Sequence, residues 1–410
     1  MLIDARSVAP GAVLECDICV IGAGAAGLSL AIELAGSALS VVVLEAGGEK
    51  PDAASQAFYE GELISPAHAT PDMYRHRRLG GSTTVWGGRC VPFDPIDFEA
   101  RAWVPLSGWP FGRETLEPFY RRAQTVLDAG ACDYAAISAL PGGTLIEGFS
   151  DPHVLTESVE RFSLPTDVWK SNRHRLKKAG NIRVLFNANC IGLLPQADGC
   201  VIERAEVADP EGRRFSVKAS DLVVASGGIE TYRILAASAP ERGGLSNHSD
   251  MLGRTYMCHL EMATGTIRIT PPTRNVCYGF ERTPDGVYAR RRFTLTAERQ
   301  RECRIMNTMV RLHHASVVDP AHGDPILSLM YLAKHTVIPE YRRKLSMVEH
   351  DVASALKHDG RFWASHVRNI LRGAPATAAF LTKWIRHRIL AHRKLPYVAL
   401  HNRPAYTRWI

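Results

Sequence analysis

The chain has 410 residues, enough for two domains, and its 46% apolar and 22% charged content describes a globular protein whose core needs no cross-links. No run of eighteen apolar residues occurs and the first eleven residues lack a basic-then-apolar leader, which argues against a membrane-spanning helix and a secretory signal and predicts a cytoplasmic protein. The net charge of +7 belongs to the end of the chain, where residues 341–410 carry 14 Lys/Arg against three Asp/Glu; no nucleic-acid-binding motif accompanies that charge.

The first predicted elements are a buried strand, Cys16 to Ile21, a helix, Gly24 to Leu34, and a β-branched strand, Val41 to Leu44. Cys16 and Cys19 form a CxxC in the first strand. An offset of three along a strand points the two thiols to opposite faces, so the pair is read as structural and no metal site is expected. The nine cysteines, odd in number and scattered, suit a reducing compartment. Residues 47–78, broken by Pro51, Pro66 and Pro71, read as loop and short helices, and Gly80 to Gly88 as a glycine-rich loop. A helix is predicted over Arg113 to Ala129, and strands over Ile182 to Phe186 and Asn189 to Leu194. A hairpin over Val201 to Ala208 and Arg214 to Ala219 turns at Pro210-Glu211-Gly212, and a separate buried strand follows at Asp221 to Ala225. Met262 to Thr270 and Phe293 to Leu295 are candidate strands of a second domain, and residues 343–394 read as mainly helical. Within them Phe380, Leu381, Trp384, Ile385 and Ile389 form one apolar stripe beside Lys383, Arg386 and Arg388. That pattern suits either packing on the protein itself or peripheral contact with an anionic membrane.

Chemistry enters with Gly22-Ala23-Gly24-Ala25-Ala26-Gly27, which follows a strand and opens a helix. The first glycine allows the turn, the second lets a pyrophosphate approach the backbone, and the third lets the helix pack on the strand. The helix N-terminus offers unpaired N–H groups to the phosphates. Glu45 ends the second strand, 18 residues after Gly27, where a carboxylate binds adenosine ribose hydroxyls. No arginine stands beside it in sequence to take a 2′-phosphate. These residues alone leave FAD and NAD open.

Further motifs narrow the choice: Glu45-Ala46-Gly47-Gly48, Leu79-Gly80-Gly81-Ser82-Thr83-Thr84-Val85-Trp86-Gly87-Gly88, and Ser107-Gly108-Trp109-Pro110 with Leu116, Pro118 and Tyr120. Asn187-Ala188-Asn189 and Ala225-Ser226-Gly227-Gly228-Ile229-Glu230 complete the set. In this order the sequence resembles the glucose–methanol–choline (GMC) family of FAD oxidoreductases over about residues 16–259. The resemblance implies cofactor contacts at Gly22, Gly24, Ala25, Ala26, Gly27, Glu45, Ala46, Gly80, Gly81, Ser82, Thr83, Trp86, Ala225, Ser226 and Gly227, with Cys190 or Ile191 near the adenine. It implies oxidation of a CH–OH group of a sugar, polyol or other alcohol by hydride transfer to flavin, with the electron acceptor open. Some members attach flavin to a histidine just before the loop tryptophan; Val85 stands there, so non-covalent FAD is expected. The family's catalytic histidine lies in a C-terminal stretch that is not found before Ile410, so this chain taken alone is expected not to turn over an alcohol. His259 is the weak remaining candidate base; His313, His314, His387 and His392 are read as structural or surface residues.

The expected fold is α/β: a three-layer Rossmann-type FAD-binding domain (1–100 and 181–258) with a mixed α+β substrate domain on an antiparallel sheet (101–180 and 259–410). The alternatives are an FAD or NAD enzyme of another Rossmann-type family, or a non-catalytic flavin-fold scaffold.

Overall fold

A computed structural model describes residues 1–65, 68, 70–140, 142–164, 166–196, 201–258, 276–277, 279–312, 318–333 and 359–390. The chain divides into two compact units, Met1–Trp86 with Thr166–Met262, and Gly87–Pro165 with Ala263–Ile410. The second crossing falls near residue 166, ahead of the boundary at 181 expected from sequence. An unforeseen helix over Val168–Lys178 explains the difference, because it lies against the first unit's helix Ala25–Leu34.

The first unit holds strands β1 (Leu2–Asp4), β2 (Val13–Ile21), β3 (Val41–Leu44), β6 (Ile182–Phe186), β7 (Asn189–Pro195), β8 (Ile202–Ala208) and β9 (Arg214–Val224). They form one sheet in the order β1-β6-β3-β2-β9-β8-β7, parallel from β1 to β9 and antiparallel over β8 and β7. β3 is buried at all four positions, as a parallel strand covered on both faces must be. α1 (Ala25–Leu34) makes the β2-to-β3 crossover and buries Leu28, Ala31 and Ile32; α5 (Val168–Lys178) buries Val168, Trp169 and Leu176. At about 25–30 cal/mol per Å2, each buried Leu, Ile or Val among them contributes roughly 1.5–3 kcal/mol. The stretch Asp221 to Ala225 is no separate strand. It is the half-exposed end of β9, because β9 continues unbroken past the hairpin along the full length of β2.

The two CxxC thiols do not diverge. Cys19 and Ile21 belong to one apolar cluster, and Leu14 and Cys16 pack against the same cluster. Its contributors on β9 likewise switch parity, from Phe215, Val217 and Ala219 to Leu222 and Val224. The alternation slips by one residue near Asp17, where the Asp17 and Ile18 N–H groups both donate to the Ser40 carbonyl, at 3.0 and 3.1 Å. That slip, of the kind a bulge produces, puts both cysteines on one face. They are free thiols, and burial raises the pKa of each. Among the described residues no group of three His, Cys, Asp or Glu side chains is placed to hold a metal ion.

The second unit is built on an antiparallel sheet, as predicted, in the order β10 (Phe280–Arg282), β11 (Tyr288–Leu295), β5 (Val154–Phe162), β4 (Arg89–Cys90), with β12 (Met309–Val310) also paired to β11. Its helices include α3 (Arg113–Val126), α4 (Ala136–Ala139) and α8 (Pro325–Ala333), with two more at Gly360–Arg372 and Ala374–Trp384 that pack on α8. The predicted apolar stripe is only part-covered: Phe380 and Trp384 are half-buried, Leu381 and Ile385 are exposed, and the Ile389 side chain lies outside the described residues. Met262 to Thr270 also lies outside them. No described helix is long and apolar enough to cross a membrane.

Candidate nucleotide site

In the first unit three turns meet at the C-terminal ends of β2, β3 and β9. Gly22 turns the chain out of β2 with φ +107°, and its N–H donates to the Leu44 carbonyl at 2.8 Å. A Cβ there would stand 2.6 Å from the Ala225 carbonyl oxygen, so the glycine lets the ends of β2 and β9 touch. Gly27 is more confined: a Cβ would lie 1.9 Å from the Gly22 carbonyl oxygen and 3.1 Å from Val20 Cγ1. That contact seats α1 on β2.

Gly24, the cap of α1, has the opposite surroundings. Nothing lies within 4 Å of a Cβ built on it, no side chain caps the helix, and no acidic residue stands in its first turn. The N–H groups that open α1, around Ala25 and Ala26, have no intrahelical partners by the geometry of a helix start. Gly227 caps α6 (Gly228–Ser238) and, like Gly228, faces open space. Its neighbour Ser226 is tied down by its hydroxyl, which donates to the Ile21 carbonyl at 2.9 Å, and the Ala225 N–H donates to the same oxygen at 2.8 Å. Two helices therefore begin at adjoining turns with room in front of each, which suits a diphosphate.

The glycine loop of residues 80–88 lies on this platform. The Gly80 N–H donates to the Ala23 carbonyl at 2.9 Å, and a Cβ on Gly81 would be 3.0 Å from Gly24 Cα. Gly80, with φ +91°, opens the 3-10 turn Gly81–Thr84. Ser82 is exposed and its hydroxyl donates to the Tyr74 carbonyl at 3.0 Å. The side chains of Thr83 and Trp86 have partners within the chain. Thr83 is buried, its hydroxyl donating to Gly80 O at 2.5 Å and accepting from Val168 N–H at 3.3 Å, and the Trp86 indole N–H donates to the Thr166 carbonyl at 3.0 Å. Their polar groups fasten the turn to the start of α5, which leaves backbone and ring faces for a ligand.

Glu45 is buried, and its two oxygens accept the Ala23 and Gly47 N–H groups at 3.0 and 2.9 Å. Burial raises its pKa, against those hydrogen bonds and the nearby Arg77 charge, which lower it. The carboxylate therefore shapes the glycine turn as well as keeping acceptor capacity for a ribose hydroxyl. Gly47 permits that arrangement, since a Cβ on it would strike the Arg77 carbonyl oxygen at 2.0 Å. Ala46 lies between these contacts. The Cys190 thiol lies in the core and donates to Gly192 O, and Ile191, at a register shift of β7, is half-buried. His259, His313, His314 and His392 lie outside the described residues, as does the side chain of His387.

The sequence reading missed a polar group beside Glu45. Arg77 is buried, with its Nη1 donating to Ser55 Oγ at 2.8 Å and its guanidinium 4.8 Å from the Phe58 ring centre. Arg75 stacks on Tyr59 at 4.1 Å and pairs with Glu230 at 3.0 Å, and Arg233 holds the same glutamate at 2.6 Å. Burial, with the charges of Glu45 and Glu230, pushes the Tyr59 phenol up to about 12. The only signal in sequence was an arginine-rich stretch, Arg75 to Arg78, just before the glycine loop.

The signature of the FAD-dependent oxidoreductase family matches residues 17–331, about three quarters of the chain. The chain belongs to that family. FAD is its cofactor, and the open ground before Gly24 and Gly227 fits the diphosphate. Among curated proteins, the fructose dehydrogenase large subunit of Gluconobacter japonicus is 23% identical over 320 residues, covering 60% of this chain and 59% of that one. Solved structures that resemble it include formate oxidase (16% identity, TM-score 0.37, covering 57% of this chain and 48% of that one). Pyridoxine 4-oxidase from Mesorbium loti resembles it similarly (22% identity, TM-score 0.35, 55% and 52%). The chain thus spans between about half and three fifths of the length of these relatives.

Proposed function

We propose that this chain is a GMC-type FAD oxidoreductase acting on a CH–OH group of a sugar, polyol or other alcohol, with FAD held non-covalently. The observation that carries the reading is the seating of Gly80 and Gly81 on Ala23 and Gly24. It joins the loop that resembles the GMC flavin loop to the phosphate turn by a backbone hydrogen bond and a close glycine–glycine approach. The order of motifs from Gly22 to Glu230 supports the same reading, as does the sugar dehydrogenase named among the relatives.

FAD, when bound, supplies acceptance of a hydride. The roles of the chain's residues follow from their geometry. The starts of α1 and α6 hold the diphosphate by backbone N–H groups, and Glu45 accepts from the ribose. Gly80 to Ser82 bring backbone against the cofactor without a side chain between. Val85, a hydrocarbon, offers no nucleophile for attachment.

The test is purification followed by acid precipitation, then anaerobic mixing with sugars, polyols and simple alcohols. Non-covalent FAD leaves with the supernatant; colour that stays in the pellet defeats the Val85 argument. Bleaching of the flavin band by an alcohol, in this chain or in one extended past Ile410, supports CH–OH oxidation. An oxidised flavin across the whole panel in both proteins removes it.

A further inference from the structure

The last described helices of the second unit are strongly basic. Residues 359–390 hold six Lys/Arg and one Asp/Glu, within a stretch, 341–410, that holds 14 against three. The one carboxylate, Asp359, is engaged inside the fold: it caps the helix Gly360–Arg372 by accepting the Phe362 N–H at 2.9 Å. Arg361, Arg368, Arg372 and Arg386 are exposed, and among the described residues no carboxylate lies within 4 Å of any of them. Arg368 gives a single hydrogen bond, to Ser365 Oγ at 2.8 Å.

The helix Gly360–Arg372 has three sides. Phe362 and His366 are buried and form its inward side, with the His366 ring stacked on Tyr331 of α8 at 4.6 Å. Trp363, Val367 and Leu371, four residues apart, make a second line along the helix, and all three are exposed, Leu371 to 69%. Arg361, Arg368 and Arg372 make a third line beside it. The helix Ala374–Trp384 repeats the arrangement. Thr377 is buried, while Ala374, Ala378, Leu381 and Ile385 run along the exposed side at spacings of four and three, and Arg386 follows. Leu390, where the turn Ile385–Leu390 ends, is 72% exposed. A helix that only packs on its own protein hides its apolar residues and shows its charges. Both of these helices already have an inward side, on α8, and still show a second apolar line bordered by arginine.

We propose that these two helices form a docking surface for an anionic lipid bilayer, with Val367, Leu371, Leu381 and Ile385 entering the headgroup boundary and the arginines set on the lipid phosphates. Charge decides the occupant. An apolar line alone would accept any apolar surface, but here arginines without counter-charges border it, and a second copy of this chain would bring the same positive charge against them. A bilayer with acidic headgroups offers an apolar interior beneath a dense negative layer, and the planar guanidinium matches phosphate with two parallel hydrogen bonds. The helices would lie along the surface, since at 13 and 11 residues neither is long enough to cross it.

The experiment mixes the purified full chain with sedimentable vesicles of phosphatidylcholine, with or without phosphatidylserine, at low and high salt. The chain should pellet with the phosphatidylserine vesicles at low salt and stay in solution with phosphatidylcholine alone. High salt should release it, because the charges are exposed and screened. Arg368→Gln combined with Arg372→Gln should weaken binding by about tenfold or more, and Leu371→Ser combined with Leu381→Ser by a similar factor. Arg368→Lys with Arg372→Lys keeps the charge and should retain most of the binding. All four positions are exposed, so the variants should melt with the wild type. No pelleting with phosphatidylserine vesicles at low salt overturns the proposal, as does equal pelleting with both lipids, or binding that neither the glutamine pair nor the serine pair weakens. Sedimentation velocity without lipid tests the competing occupant. A dimer that the serine pair dissolves, in a chain that leaves the vesicles alone, makes the surface a contact between copies and overturns the lipid assignment. If the serine pair does not fold, the glutamine pair and the lipid and salt contrasts decide.

Discussion

In the first unit, positive potential comes from the backbone. At Gly24 and Gly227 two helix starts present N–H groups, and a Cβ on either glycine would meet nothing within 4 Å. In the second unit it comes from side chains, with Arg89, Arg290, Arg292 and Arg311 crowded around Glu160. Backbone dipoles are fixed by the fold and cost little desolvation, so they suit a cofactor that stays. Buried guanidinium groups are expensive, and each depends on a partner that can be removed.

The sharpest way to break the contrast is with two glycines of one motif. Gly27→Val places carbon where the Gly22 carbonyl oxygen sits 1.9 Å away, and should abolish the folded first unit. Gly24→Val meets nothing, and should fold normally while losing FAD. Circular dichroism melts with flavin content separate the two, and equal damage from both would show that Gly24 is structural.

In the second unit, Glu160→Gln should cost about 3–5 kcal/mol, since it removes the buried carboxylate that pairs with Arg290 at 2.6 Å and stands 3.6 and 3.9 Å from Arg89 and Arg311. Denaturant unfolding measures it, and a cost near zero would mean that the arginines already have counter-charges elsewhere.

Glu45 tests the backbone-built site more gently. Glu45→Gln leaves one of the Ala23 and Gly47 N–H groups without an acceptor, at about 1–3 kcal/mol, and should weaken FAD by about tenfold or more. The folded-state pKa is raised above 4.5, chiefly by burial, so the contribution to stability is complete below 4.5 and is lost as pH rises through the raised value. Melts of the cofactor-free protein should show that loss in the wild type and not in the variant.

The smallest effect belongs to Asp285. Burial raises its pKa, but the Thr283 hydroxyl, the Ala131 N–H and Arg161 outweigh burial and hold it at about 2. The folded value is depressed, so this stability is present above 3.8 and lost as pH falls through about 2. Asp285→Asn should remove a modest part of that stability at neutral pH, since Arg161 loses its carboxylate partner, and should flatten the acid limb of the second unit's unfolding.

The nucleotide turn was legible in sequence because it obeys local rules. A β-branched run, three glycines at fixed spacing and a carboxylate at the next strand's end require that geometry with little help from the rest of the chain, and β3 and β6 appear with the predicted limits. Strands β5 and β11 were not foreseen over their length, since Glu160, Arg161 and Arg290 to Arg292 are charged and the alternation rule reads charge as solvent-facing. Only cross-strand pairing makes those residues interior, because burial becomes tolerable once an opposite charge arrives from a strand more than a hundred residues away. The same holds for the CxxC: period-two alternation was the right local rule, and a slip at Asp17 shared with β9 decided which face each thiol occupies. Arg77 beside Glu45 was likewise beyond local reading, since the chain between them is irregular and only the close packing of Gly47 against Arg77 brings them together. Sequence by itself determined the backbone-built cofactor turn, because backbone geometry follows from near neighbours; the tertiary structure alone decided the charge-built face, because a buried charge is stable only where distant segments meet.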